Sequence, residues 1–489
     1  MRGRLLAAVG VAAMAWCGTA LAQAPAPADG TVDTLREALA QTYQTNPTIM
    51  AERQSLRASD EDVALARSRG RPSVSTTAGL NTDVITDNLG VNTSNLTLGA
   101  DVSVPLYAGG RVRNAVRAAD TRVEAGRADL RATEGDIFTE AVAAYMDVIR
   151  DRSIVQLNEN QVRVLDTNLQ ATRDRFEVGD LTRTDVAQSD ARLALARSNL
   201  AIAQGRLQAS EENYERVIGL PPGDLQPPNP LPTLPATPVQ AAEVALANNA
   251  DLASIAAQAR AAGFDVAAAR GERLPTISAV SGTRYFNALG TGDNGGTTPT
   301  SPNSTTNTGV GLSLSLPLYQ GGAAGARVRR AQAVRSQILE QAIGVERGVV
   351  SNTRAAYAVF EAANDAIESN TIAVAANELA LEGTRAEQTV GTRNILDVLN
   401  AEQELVNSQV ALVTARRDAY VAGFQLLNAM GMAEAEDLNL DGGPLYDPTV
   451  NYERYARSWS DWDDGPRVDP IATRTVPADA NSPVTALPQ

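Results

Sequence analysis

The sequence predicts an α+β membrane architecture: each protomer supplies four membrane-crossing β-strands plus long coiled-coil α-helices, all from a duplicated unit. Three observations predict it. The chain is written twice, 212 positions apart: Val104-Pro105-Leu106-Tyr107 returns as Leu316-Pro317-Leu318-Tyr319, Ala144-Tyr145 as Ala356-Tyr357, Val178-Gly179 as Val390-Gly391 and Gly219 as Gly431. At the same place in each copy lie segments of alternating hydrophobicity about ten residues long, the length of a tilted transmembrane strand. After each Pro-Leu-Tyr comes a proline-free helical pattern of roughly 68 residues, about 100 Å at 1.5 Å per residue. The offset never slips between Pro105 and Gly219. One inserted residue rotates a helix's apolar stripe by about 100°, so the constant offset belongs to continuous, packed helices. A duplicated unit of this kind is usually arranged around an axis.

The N-terminus reads as a secretory signal over residues 1–22. Arg2 and Arg4 precede an apolar run, Leu5 to Trp16, and Ala20-Leu21-Ala22 is a small-residue cleavage site, so the mature chain is expected to begin at Gln23. Cys17 follows Trp16, where a lipoprotein signal wants a small residue, so it is read as removed with the signal and not lipidated. No cysteine then remains for a disulfide or a thiolate. All 42 basic residues are arginine and histidine is absent, which excludes Ser-His and Cys-His nucleophiles, a phosphate loop ending in lysine, and histidine-rich metal sites. No cofactor is called for. A net charge of −15 argues against nucleic acid as partner. Beyond the signal no apolar stretch approaches the roughly 20 residues of a transmembrane helix, which leaves a β-barrel as the way across.

In chain order, Thr34–Tyr43 and Pro47–Arg69 read as two short helices, the second opened by Asn46-Pro47 as cap and first position. Their counterparts are Val239–Asn248 and Ala250–Glu272. Proline signals at Arg71-Pro72 and Leu274-Pro275 end them, at an offset of 203, so the nine-residue difference falls in the loops that follow. The hairpins span 72–107 and 275–319. Leu96–Val104 and Val310–Leu316 alternate apolar and small polar residues, with Val74–Val84 and Ile277–Phe286 as partners. Tyr107, Tyr319, Tyr285 and Phe286 stand at strand ends as candidate interfacial aromatics, and Asn287–Thr308 is a turn-rich loop. Long helices follow over 110–178, 182–218, 321–390 and 393–431. Heptad spacing runs through Ala141, Val148, Val155, Val162 and Leu169, and again through Thr353, Phe360, Ile367, Val374 and Leu381. The returning helices continue it with Val186, Leu193, Leu200 and Leu207, and with Val398, Leu405, Leu412, Ala419 and Leu426. A proline-rich link, 223–238, joins the repeats at 23–222 and 239–432. The Asp/Pro-rich segment 433–489 reads as a weakly ordered tail.

Four strands cannot close a membrane barrel, for which about eight is the minimum, so the sheet edges must be paired by other chains. Three copies give twelve strands and four give sixteen. The hairpins gather at one end and the helix turns lie about 100 Å away. The assembly is a membrane-anchored tube with a helical duct. A pore-free coiled-coil scaffold would need the helices but not the hairpins, and no paired-acid constellation speaks for an enzyme.

Leu316-Pro317-Leu318-Tyr319-Gln320-Gly321-Gly322, the run Val390-Gly391-Thr392-Arg393-Asn394-Ile395-Leu396-Asp397-Val398-Leu399-Asn400, and its copy from Arg175 to Val186 resemble the TolC family of outer-membrane channel-tunnels. The similarity covers about residues 33 to 432. The resemblance implies a homotrimer with a 12-stranded β-barrel in outer-membrane lipid and a 12-helix α-barrel in the periplasm of a Gram-negative bacterium. The duct then works with a periplasmic adaptor protein and an inner-membrane pump of RND or ABC type, exporting drugs, toxins or proteins. By the same resemblance the periplasmic end closes like an iris beyond the glycine turns, Gly179 and Gly391. Asp397 falls at an acidic constriction ring that favours cations, and Asn400 at a second ring, here neutral. Arg393 falls at a basic gate tie, with Thr184 and Asp185 as its expected partners. Gln388 stands where the family has an aromatic tie.

Overall fold

A computed structural model of the chain describes residues 32–82, 94–289, 304–438, 440, 445–466, 470 and 472. The signal segment, Val84 and part of the second hairpin loop lie outside the described residues. The first repeat runs α1 (Leu35–Thr45), α2 (Pro47–Ser68), β1 (Ser73–Thr82), β2 (Ser94–Ala108), α3 (Arg111–Glu177) and α4 (Arg183–Ile218). The second runs α5 (Pro238–Asn248), α6 (Ala250–Gly271), β3 (Thr276–Asn287), β4 (Ser304–Ser315), α7 (Ala323–Thr389) and α8 (Ile395–Ala429), and a short α9 (Val450–Tyr455) follows.

Local chemistry sets the helix starts. The Thr34 hydroxyl caps α1 and Glu37 returns the bond to the Thr34 N–H, a capping box. Asn46 caps α2 ahead of Pro47, and Thr237 caps α5 ahead of Pro238. α3 and α7 are each 67 residues long. Every heptad position named above is buried or half-buried, so the seam holds along both helices. The main core lies where the short helices cross the long ones, around Phe138, Tyr145, Tyr214, Leu426, Leu427 and Met430. The proline-rich link is laid against it by a duplicated tyrosine. The Tyr145 hydroxyl bonds the Gln226 carbonyl at 2.7 Å, and Tyr357 bonds that of Ala236 at 2.8 Å.

The four strands form one antiparallel sheet in the order β1-β2-β3-β4, so the two copies join directly through β2 and β3. Ala78 pairs with Leu98 and Leu98 with Tyr285; Val74 pairs with Val102, Val102 with Ser281, and Ser281 with Val310. Paired residues share a face, so the register gathers Val74, Leu80, Leu96, Leu98, Val102, Leu312 and Leu314 on one side. Thr77, Thr97, Asp101, Arg284 and Ser313 fall on the other. Tyr285 stands on the apolar face, but Phe286 pairs with Thr97 and stands on the polar one, so these two cannot share one interfacial belt. β4 begins at Ser304, inside the expected loop, because Ser304–Thr308 find partners in Thr283–Asn287 and threonine suits a strand.

The tail is corrected over its described part. Tyr446, Tyr452 and Ala456 pack on Leu56, Val63, Ala119 and Val123, forming a strap over α2 and α3. The Arg53 guanidinium lies between the Tyr43 and Tyr446 rings, 4.2 and 4.8 Å from their centroids. Under the strap, burial pushes the Glu134 carboxyl up to about 7, opposed by Arg53 and reinforced by Glu434 and Glu436. A carboxyl raised in the folded state binds more protons there. Its contribution is full below the unfolded value of 4.5 and is lost as pH rises through about 7. Wild type is therefore expected to lose thermal stability from about pH 5 to 7.5 by more than Glu134→Gln does, with roughly 3 kcal/mol as the upper bound for this group. Parallel melting curves for the two proteins would refute the assignment.

Candidate functional site

Each long helix ends in the same way. Gly179 and Gly391 have φ of 82° and 80°, the left-handed conformation that lacks a penalty only in glycine. The Asp180 N–H reaches the Arg175 carbonyl at 2.9 Å and the Thr392 N–H that of Glu387 at 3.0 Å. With the Gly179–Phe176 and Gly391–Gln388 bonds these are Schellman turns that satisfy the last carbonyls. Gln388 enters the turn through its backbone carbonyl.

The returning helices start in capping boxes. Thr182 and Asp185 exchange bonds at 2.9 and 3.3 Å, and Asn394 and Asp397 do the same at the start of α8. The Thr182 hydroxyl bond and the backbone N–H hold the Asp185 carboxyl below the usual range. Asp397 keeps its carboxylate 43% exposed at the mouth of the turn. Asp397 and Asn400 lie one turn apart on the outer side of α8, while Val398 and Leu399 between them are buried.

The expected tie of Arg393 to Thr184 and Asp185 is not formed within the chain. Arg393 bonds Glu387 at 2.8 Å across its own turn and comes within 4.0 Å of Asp397. The hydrogen bond to Glu387 raises the Arg393 pKa further. Thr184 is exposed, and Asp185 is held by Thr182. In the first copy the same job falls to Arg175 and Asp180, at 2.6 Å, with the signs exchanged: the helix end is basic and the turn acidic. Asn400 is also engaged, accepting a bond from Arg192 of α4 at 2.8 Å.

The strongest tie was not singled out from the sequence. Glu402 on α8 is buried and receives Arg385 of α7 at 2.9 Å and Asn168 of α3 at 3.2 Å. It joins three helices just above the turn. Arg173 and Asp190, 212 positions earlier, form the matching pair between α3 and α4 at 3.5 Å, but with both side chains at least half exposed. Leu165, Leu169, Leu193, Ala196 and Leu399 pack beside the tie. The repeat offset carried this pair, but burial decides its weight. α8 also packs on α3, and that covers Glu402 and leaves Asp190 open.

A family model described as outer membrane efflux protein matches residues 38–220 and 241–432. Outer membrane efflux protein BepC of Brucella suis biovar 1 is 34% identical over 433 residues, covering 87% of this chain and 91% of that protein. Outer membrane protein TolC of Vibrio cholerae is 26% identical over 416 residues, covering 83% and 92%. Among solved structures, the CmeC outer membrane channel of Campylobacter jejuni superposes with a TM-score of 0.71 at 15% identity, covering 86% of this chain and 89% of that one. The outer membrane protein VceC of Vibrio cholerae gives 0.69 at 20% identity, covering 81% and 96%. Both share the fold described above.

Proposed function

The chain belongs to the outer membrane efflux protein family, the duct of efflux and secretion systems, and from that premise we propose that three copies close into one passage gated at the helix turns. The observation that carries the assembly is an asymmetry between the copies. On α7, Leu339, Ile343, Val359, Ile372 and Leu379 are 43, 45, 55, 63 and 70% exposed. The matching positions on α3 are Arg127, Arg131, Asp147, Asn160 and Thr167. Exposed apolar side chains at positions where the sister helix is polar call for a protein neighbour. The sheet asks for the same neighbour, since among the described residues β1 and β4 each leave one edge unpaired. Four strands per chain give twelve in a trimer.

The duct stands in the outer membrane with its helices in the periplasm and takes cargo from an adaptor and an inner-membrane pump. It moves cargo passively and without chemistry. Asp397 narrows and charges the mouth, while Arg393, Glu387 and the Glu402 tie hold α8 in place. Native mass spectrometry of the detergent-solubilised protein is expected to give a homotrimer, and a stable monomer with full β content would sink the architecture. Ile372→Glu or Leu379→Glu is expected to shift the trimer toward monomer, whereas Asn160→Glu on α3 leaves it intact. Equal trimer stability in all three variants would remove α7 from the interface.

A further inference from the structure

Two aromatic side chains stand outside everything described so far: Trp459 is 71% exposed and Trp462 is 94% exposed. Their place in the fold is defined by the strap. From α9 the chain climbs along α2 toward the sheet, with Asn451 bonding Asp60 at 3.1 Å, Ala456 receiving Arg67 at 2.9 Å and Ser458 receiving Arg71. Residue 60 to the end of α2 at residue 68 is about 12 Å of helix, and Arg71 lies just beyond it. The Arg71 guanidinium also stacks on Trp459, 4.7 Å from the ring centre. The chain then turns back, and Gly465 lies against the ring of Tyr455. Segment 458–462 is therefore the tip of a loop, and it stops level with Arg71, two residues before β1 begins at Ser73. The tip is fixed by its own bonds: the Trp462 N–H reaches the Ser460 hydroxyl at 3.2 Å, and the Gly465 N–H the Asp463 carboxylate at 3.2 Å. Exposed Tyr107 of β2 and Tyr319 beyond β4 stand at the same end of the strands.

We propose that this loop is a membrane anchor, with Trp459 and Trp462 seated in the headgroup layer of the leaflet at the foot of the barrel. Indole has an apolar body and one N–H donor, which suits the boundary between lipid and water. Tyr107 and Tyr319 continue the same belt around the strands. Asp461, Asp463 and Asp464 around the tip oppose anionic lipid, so the ligand is a zwitterionic phospholipid surface. The strap thereby ties α2 and α3 to the membrane plane. The inference rests on the barrel reading above.

The chain holds three tryptophans, and Trp16 lies in the expected signal, so emission from the processed protein reports on this loop alone. The test reconstitutes the full protein into phosphatidylcholine vesicles whose acyl chains are brominated near the headgroup or near the methyl end. W459F, W462F and the double variant as a blank accompany the wild type. A bimane probe on Leu98→Cys, on the lipid face of β2, serves as the control. The expected result is loss of most tryptophan emission with bromine near the headgroup, less loss with bromine near the methyl end, and weak quenching by aqueous iodide. Bimane quenched while tryptophan answers only to iodide would overturn the anchor and leave the barrel standing. If neither probe responds to bromine, both readings fail together.

Discussion

Arginine at Leu98 is expected to block barrel assembly, while arginine one residue earlier, at Thr97, is tolerated. The two positions are neighbours in sequence and differ only in the side of the sheet. Leu98 lies between Ala78 and Tyr285, and Thr97 between Gly79 and Phe286. On the lipid face an arginine near the membrane midplane costs about 2–4 kcal/mol, falling to about 0–1 near the interfaces. On the inner face the same side chain meets water. In the proposed trimer the difference is taken three times, so Leu98→Arg should leave no assembled trimer. Depth refines the expectation for the second repeat. Leu314 is the last residue but one of β4 and pairs with Ile277 at the foot of the sheet. Leu314→Arg should therefore be milder than Val310→Arg, whose pairs run through Ser281 to Val102. Heat-modifiability on gels and surface labelling of intact cells measure assembly. Equal tolerance at Thr97 and Leu98 would mean that these are not membrane strands.

Much of this was legible in the sequence because it is written in periods. Alternation gave the apolar face, and heptads gave the seams from Ala141 to Leu169 and from Thr353 to Leu381. The fixed offset also required the two glycine turns to be alike, and Gly179 and Gly391 are. Features that depend on who packs against whom were not legible. Arg173–Asp190 and Arg385–Glu402 are the same pair in the two copies, yet only Glu402 is covered by a third helix. Phe286 follows Tyr285 in sequence, but its parity sets it on the polar face. The strap was hidden in a segment rich in aspartate and proline, because a few spaced anchors, Tyr446, Tyr452 and Ala456, are enough to hold it on α2. No periodicity announces contacts of that kind.

The same contrast orders the expected effects at the turns. Arg393 and Glu387 are each about half exposed, at 51 and 52%, and a surface pair of this kind contributes little because solvent screens it. Glu402 retains 4% of its side-chain surface, so removing its arginine leaves a buried carboxylate short of a partner, a loss of about 1–3 kcal/mol or more per copy. Arg385→Ala is therefore expected to free α8 from α7 and to raise single-channel conductance in planar bilayers more than Arg393→Ser does. Arg173→Ala, at the exposed sister pair, should change little. Asp397→Ala acts differently. It removes the charge at the mouth and one half of the α8 capping box, so cation preference and block by multivalent cations should fall while conductance stays near wild type. The comparison separates a mechanical tie from an electrostatic filter. If Arg385→Ala and Arg173→Ala conduct alike, burial at Glu402 plays no part in holding the gate. If selectivity survives in Asp397→Ala, the constriction lies elsewhere along the duct.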